Sequence, residues 1–253
     1  MVPCTNDKEH SVNKVVKFAG LTFRGLTSEA LLERREKMTV IVTVNADFIV
    51  RAKDERRLAG IISDDYSTFD GQVPYWLAKV LAKPRKVQFE KISGSDFAYE
   101  LLAHAAEHKK RVFFLGAAEE TNRIACEVVE QRYGLEIEGY SPPLAEYPFP
   151  AEWQAETMRR IIEFKPHYVF VAFGMLKQEY WIDDNRDELQ KLGVEIAIGC
   201  GGTLEFISGR IRRAPKWVQS IGMEGVYRLM MERKLFRLKR LLRSFLVFFA
   251  ALR

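Results

Sequence analysis

The sequence predicts an α/β fold: a mostly parallel, Rossmann-like sheet with helices on both faces, followed by a basic amphipathic helical appendage at the C-terminus. Three observations carry this. Short apolar runs rich in Val, Ile and Phe recur between longer stretches of helical spacing, as expected of strands covered on both faces by helices. The chain has 253 residues, 47% hydrophobic and 29% charged, enough for one substantial core or two small ones. Its charge is also split. From Arg210 to Arg253, twelve Lys/Arg stand against two acids, Glu224 and Glu232, giving +10, while the other 27 basic and 32 acidic residues give −5. A mildly acidic body thus ends in a tail suited to meeting phosphate.

Strands are expected at 38–43, 65–69, 111–115, 135–139, 167–173 and 194–198. Helices are expected near 46–62, 72–83, 95–109, 118–133, 151–164 and 177–191, where apolar residues such as Ile124, Val128 and Val129 share one side. The proline-rich stretch from Ser141 to Pro150 reads as a loop. The division that follows is a flexible N-terminus over 1–13, a catalytic α/β domain over 14–209 and the appendage over 210–253.

Several function classes are disfavoured. No run reaches the roughly 18 to 20 apolar residues of a spanning helix, and MVPCTNDKEH lacks the apolar segment of a signal peptide, so a cytosolic protein is expected. Cys4, Cys126 and Cys200 are odd in number and widely spaced, indicating neither disulfides nor zinc. There is no GxGxxG, which counts against a dehydrogenase, and no Walker loop.

In open α/β sheets, ligands bind beyond the carboxyl ends of the strands, where phosphates favour glycine turns and helix N-termini. Five edges qualify: Thr43 with Asn45, Asp70 with Gly71, Gly116, Gly174 ahead of Lys177, Gln178 and Glu179, and the run from Gly199 to Gly202. Asp70 is the acid placed directly between an apolar strand and a glycine, where a base could reach a sugar hydroxyl. Each feature also has a plain structural reading. Asp-Gly is a common turn, Asn45 an ordinary helix N-cap, and Lys177, Gln178 and Glu179 ordinary first-turn residues. Cys200 reads as structural. The chain has no D-x-D, the acid pair that holds a metal against a nucleotide-sugar diphosphate, so a metal-independent transfer is expected, with Arg and Lys neutralising the leaving group.

In the tail, Met231, Leu235, Leu238, Leu242, Phe245, Phe249 and Leu252 recur at spacings of three and four, among Arg233, Lys234, Arg237, Lys239, Arg240 and Arg243. An apolar stripe bordered by Lys/Arg suits the headgroup region of an anionic bilayer. Packing on the chain's own domain or in a homo-oligomer is the alternative. The aromatic residues lie with the leucines and are not interleaved as stacking platforms, so nucleic acid is not the expected partner.

The landmarks TVNAD (43–47), FDG (69–71), SGSD (93–96), FLGA (114–117), FGMLKQEYWI (173–182), IGCGGTLEFISG (198–209) and RRAPKW (212–217), in this order and spacing, resemble the WecG/TagA/CpsF glycosyltransferases, family 26. The resemblance runs from about Val15 to Arg240. It implies an inverting, metal-independent transfer of a hexose-type sugar from a UDP-sugar to a polyprenyl-diphosphate-linked saccharide, for bacterial envelope or exported polysaccharide, at the cytoplasmic face of the plasma membrane. It implies Asp70 as the base and Thr43, Asn45 and Gln178 at the donor pocket. With them it makes Gly71, Gly94, Asp96, Gly116, Gly174, Lys177, Glu179, Gly201, Gly202 and Arg228 candidate donor-binding residues. Arg213, Lys234, Arg237 and Arg240 are candidates for diphosphate or membrane contacts. Leu176 stands where the family has proline. A nonenzymatic, membrane-docked nucleotide-binding subunit of a polysaccharide assembly complex is the competing reading.

Overall fold

A computed structural model describes residues 15–82, 87–215, 218, 226–227, 229–230, 242 and 246–251. A short antiparallel hairpin, β1 (Val16–Phe18) and β2 (Leu21–Phe23), opens the described chain. Then come α1 (Ser28–Leu32), β3 (Thr39–Val44), α2 (Ala46–Arg51), α3 (Arg56–Asp64), β4 (Tyr66–Phe69), α4 (Gln72–Leu81) and α5 (Gly94–Glu107). The second half runs through β5 (Val112–Gly116), α6 (Glu119–Tyr133), β6 (Ile137–Tyr140), α7 (Ala151–Phe164), β7 (Tyr168–Ala172), α8 (Lys177–Asp184), α9 (Arg186–Lys191), β8 (Ile196–Gly199) and α10 (Thr203–Ile207). A last helix, α11, covers Val247–Ala251.

Six strands form one sheet in the order β4-β3-β8-β7-β5-β6, with every pairing parallel. Alternation along each strand splits the core in two, because successive side chains leave opposite faces. Val40, Val42, Val44, Phe113, Leu115, Val169, Val171 and Ala197 face one cluster, shared with α2, α3, α7, α8 and α9. Ile41, Val112, Phe114, Tyr168, Phe170, Ile196 and Ile198 face the other, shared with α1, α5, α6 and α10. The expected fold class is therefore present, with two cores, one on each face of a single sheet.

Several expected boundaries move. The helix expected over 46–62 is two, since Asn45 caps α2 and the chain turns through Lys53 and Asp54 before α3. The helix expected over 177–191 breaks at Asn185, whose buried amide Nδ2 donates to the Trp181 carbonyl at 2.7 Å. The hairpin escaped the sequence reading because its strands have three residues each. Its turn places Ala19 and Gly20 at φ 53 and 79, close to the two left-handed positions of a type I′ turn. In the tail, α11 packs on α2 and α4, with Val247 and Ala250 joining the first core and Phe248 and Phe249 facing outward. At least this part of the appendage is therefore seated on the body. Among the described residues no helix is long and apolar enough to cross a membrane.

Candidate active site

The helices after neighbouring strands leave for opposite faces of the sheet, and this opens the carboxyl edge. Those after β3 join the first core, whereas α10, after β8, joins the second, so the chain diverges between Thr43 and the Gly199–Gly202 turn. A crevice at such a divergence is where open α/β sheets take their ligands.

One wall is built from β3, β4 and the start of α5. The Asp70 backbone N–H donates to Val44 O at 3.0 Å, which fixes the end of β4 beside the end of β3. Residues 91–92 then run along β4, with Ile92 N–H donating to Phe69 O at 3.0 Å and Thr68 Oγ1 donating to Ile92 O at 3.3 Å. This edge pairing carries Ser93–Asp96 over the end of β3. There Gly94 lies so close to Thr43 that a Cβ on it would meet Thr43 Oγ1 at 2.8 Å. Asp70 is half-buried at the strand end, and the following Gly71 has φ 100, which an L side chain rarely adopts. Asp96, in the first turn of α5, pairs with Arg213. Arg210 donates to Thr121 Oγ1 of α6 at 3.1 Å. The segment after α10 therefore sets arginines at the starts of two helices.

The other wall lies beneath the glycine turn. Gln178 and Glu179 are buried. Gln178 Oε1 accepts from Gly201 N–H at 3.1 Å, and its Nε2 donates to Glu179 Oε1 at 2.7 Å. Glu179 Oε2 accepts from Leu176 N–H at 2.7 Å, satisfying the backbone donor at the start of α8. Gly199 is required here, since a Cβ would lie 2.6 Å from Gln178 Nε2 and 2.7 Å from Glu179 Oε1. The Gln178 amide thus holds the shape of the turn that contains Gly201 and Gly202. Leu176 itself sits at φ 74, a backbone setting closed to proline, whose ring fixes φ near −65°.

The remaining candidates separate from this pair of walls. Asn45 Oδ1 accepts from Asp47 N–H and Phe48 N–H at 3.0 and 3.3 Å, so its side chain performs the N-cap role. Lys177 turns to the 141–150 loop, donating to Ala145 O at 2.9 Å and pairing with Glu146 at 2.8 Å. Gly116 permits close packing of β5 on β7, since a Cβ would meet Phe173 Cδ1 at 2.8 Å. It lies four strands from β4, roughly 19 Å at ~4.8 Å per strand. Gly174, at φ 87, ends the strand beside it. Burial pushes the Cys200 thiol well above its ordinary value and the Cys126 thiol up to about 12, in keeping with structural roles. Arg228, Lys234, Arg237 and Arg240 lie outside the described residues.

Asn122 was missed. Buried in α6, it donates from Nδ2 to Phe114 O at 3.0 Å and Gly116 O at 2.8 Å, fixing the end of β5. Its sequence signal was a polar residue on the inward side of a helix, one position after Thr121, itself buried.

A parallel α/β sheet whose carboxyl edge carries glycine turns and helix starts, with Asp70 at the end of one strand, is the class of fold that takes phosphate-bearing ligands at that edge. The profile described as "Glycosyl transferase WecG/TagA/CpsF family" matches residues 15–253, and the chain belongs to this family of glycosyltransferases. An N-acetylglucosaminyldiphosphoundecaprenol N-acetyl-beta-D-mannosaminyltransferase from Bacillus spizizenii is 32% identical over 198 residues, covering 78% of this chain and 72% of the relative. A protein of the same description from Staphylococcus aureus (strain MRSA252) is 27% identical over 234 residues, 90% of this chain and 89% of the relative.

Proposed function

We propose that this glycosyltransferase moves an N-acetylhexosaminyl group from a UDP-sugar to a saccharide carried on a polyprenyl diphosphate, at the cytoplasmic face of the plasma membrane. The descriptions of the relatives support the sugar class and the lipid diphosphate, since both name an N-acetylmannosaminyl group and a diphosphoundecaprenol acceptor. The observation that carries the mechanism is the position of Asp70, fixed at the end of β4 one strand from Thr43 and the Gly94 turn.

In this reading Asp70 takes the proton of the acceptor hydroxyl as that oxygen attacks the anomeric carbon. The bond to the UDP oxygen breaks on the opposite side, so one displacement inverts the centre. To the two negative charges of the diphosphate, the departing oxygen adds a third. Without a D-x-D to hold a metal there, cationic side chains would meet them, Arg213 and the arginines of the tail being suited by charge. The basic tail would hold the enzyme against anionic lipid as a peripheral protein, beside its lipid-borne acceptor.

The test is a panel of UDP-sugars assayed by thermal stabilisation and by transfer to an N-acetylglucosaminyl-diphospho-lipid analogue. A donor at ~100 times its dissociation constant adds roughly 2.7 kcal/mol of stability. Transfer of an N-acetylhexosamine with inverted anomeric configuration is the expected result. A folded protein that neither binds nor transfers any of them overturns the proposal.

A further inference from the structure

We propose that α4 is itself a membrane-seated element, forming with α11 a single face that enters the headgroup region of an anionic bilayer. Pro74 and Ala78 turn one side of α4 into the core, which leaves Trp76, Val80 and Leu81 outside. Trp76 is 53% and Val80 70% exposed, in a helix whose mate α11 shows Phe248 and Phe249, the latter 72% exposed. Five large apolar side chains on two touching helices form more than the scattered apolar surface of an ordinary monomer. An indole beside aliphatic residues is the composition favoured at a membrane interface, where its apolar body and polar N–H each find a partner.

Charge selects the occupant. Lys79 stands exposed between Trp76 and Val80, its ammonium 4.7 Å from the Tyr75 ring centroid, and α11 belongs to the 210–253 segment of net charge +10. Apolar side chains among cations fit anionic headgroups over acyl chains. Position gives this a use, and here the inference rests on the function proposed above. Gly71, the cap of α4, follows Asp70 directly, and Trp76 stands four residues past Gln72, the first residue of α4, roughly 6 Å along the helix axis at ~1.5 Å per residue. A bilayer that holds Trp76 therefore holds Asp70 near the plane in which the diphosphate of a lipid-borne acceptor lies.

The full chain is mixed with phosphatidylglycerol/phosphatidylcholine vesicles carrying brominated acyl chains, and quenching of tryptophan emission is read for the wild type and for Trp76→Phe. Most of the quenching should disappear in Trp76→Phe while the protein still binds. Val80→Ser with Leu81→Ser should weaken vesicle affinity by about tenfold or more. Transfer to a water-soluble acceptor analogue should persist in that variant. Equal quenching in wild type and Trp76→Phe would mean that α4 stays out of the bilayer and would overturn the inference. So would unchanged vesicle affinity of the Val80/Leu81 variant together with a lower sedimenting mass, which would assign the face to a second copy of the chain. Quenching at Trp76 without transfer from any nucleotide sugar would sink the enzymatic reading alone. Transfer without quenching would sink the inference alone.

Discussion

Gly94 packs against Thr43 with no room for a methyl group: a Cβ at position 94 would lie 2.8 Å from the threonine hydroxyl oxygen and 3.0 Å from its methyl carbon. Gly94→Ala should therefore push the Thr43 side chain out of place, costing about 1–3 kcal/mol as overpacking does. Thr43→Ala in the same chain should recover part of the loss, because it removes both clashing atoms. The urea midpoint of the two single variants and the double variant measures this coupling, and strictly additive losses would refute it.

Asp70→Asn keeps the shape of the strand end and removes the proposed base. Turnover should fall by roughly 10²- to 10⁴-fold with donor affinity nearly unchanged. Undiminished turnover would take Asp70 out of the mechanism.

A transfer that relies on arginine and lysine at the diphosphate should proceed in EDTA. Activity that vanishes with the chelator and returns with magnesium or manganese would show instead that a divalent ion belongs to the reaction.

Acid should loosen the amino edge of the sheet. His167 Nδ1 accepts the Arg111 backbone N–H at 3.0 Å, so that nitrogen carries no proton. Burial first, then Arg111 and Lys110, hold His167 below its ordinary value, and Glu195 and Glu136 oppose them only in part. His104, whose Nδ1 lies 2.8 Å from the Tyr168 hydroxyl, is lowered by burial and then by His108 and Lys110, against Glu107 and Glu195. A histidine with a depressed folded pKa stabilises the protein above its ordinary pKa. That contribution fades as pH falls through about 6.5 toward the lower folded value. The urea midpoint should drop as pH falls below about 6.5, and His167→Asn, which can still accept the Arg111 N–H, should flatten part of the slope. An unchanged slope in His167→Asn would remove that residue from the effect.

Truncation after Met223 should abolish vesicle binding and turnover. From charge alone the body would be expected to survive this cut unharmed. The buried Val247, however, fills a place against α2 and α4, and losing it costs about 1.5–3 kcal/mol, so the thermal midpoint should fall as well. Phe245, Phe248 and Phe249 replaced together by serine should weaken vesicle binding and spare transfer to a short soluble acceptor. Transfer lost along with binding would instead place these residues in the catalytic machinery.

Periodicity made most of the sheet legible, because strands buried on both faces are written as runs such as VFFL and YVFVA, which few loops imitate. It failed where structure depends on one side chain or one backbone angle. Asn185 stands at the junction of α8 and α9, its amide donating to the Trp181 carbonyl, and nothing in the helical spacing of 177–191 foretells that junction. The edge positions of Asp70, Thr43 and the glycines were readable from their places after apolar runs. Their partners were not, because Gly94 reaches Thr43, and Arg213 reaches Asp96, across intervals of 51 and 117 residues. Gln178 shows the same limit: its sequence neighbours suggest a first-turn residue open to a ligand, and its amide is committed to Gly201 and Glu179.

The strand order also governs when the molecule can assemble. β8 lies between β3 and β7, and of the sheet's six strands it is the last to be made. Until residues 196–199 exist, β4-β3 and β7-β5-β6 are two ribbons with facing unpaired edges, and the apolar side chains of Ile41 and Phe170 lack the neighbour that covers them. β7 ends at Ala172 and β8 begins at Ile196, so at ~5–20 residues per second a ribosome needs roughly 1 to 5 s to add the ~24 residues between them. Through that interval the nascent chain carries a vacant slot one strand wide, open to any extended peptide, and its capture by a chaperone or by a neighbouring nascent chain competes with the strand for which it is shaped.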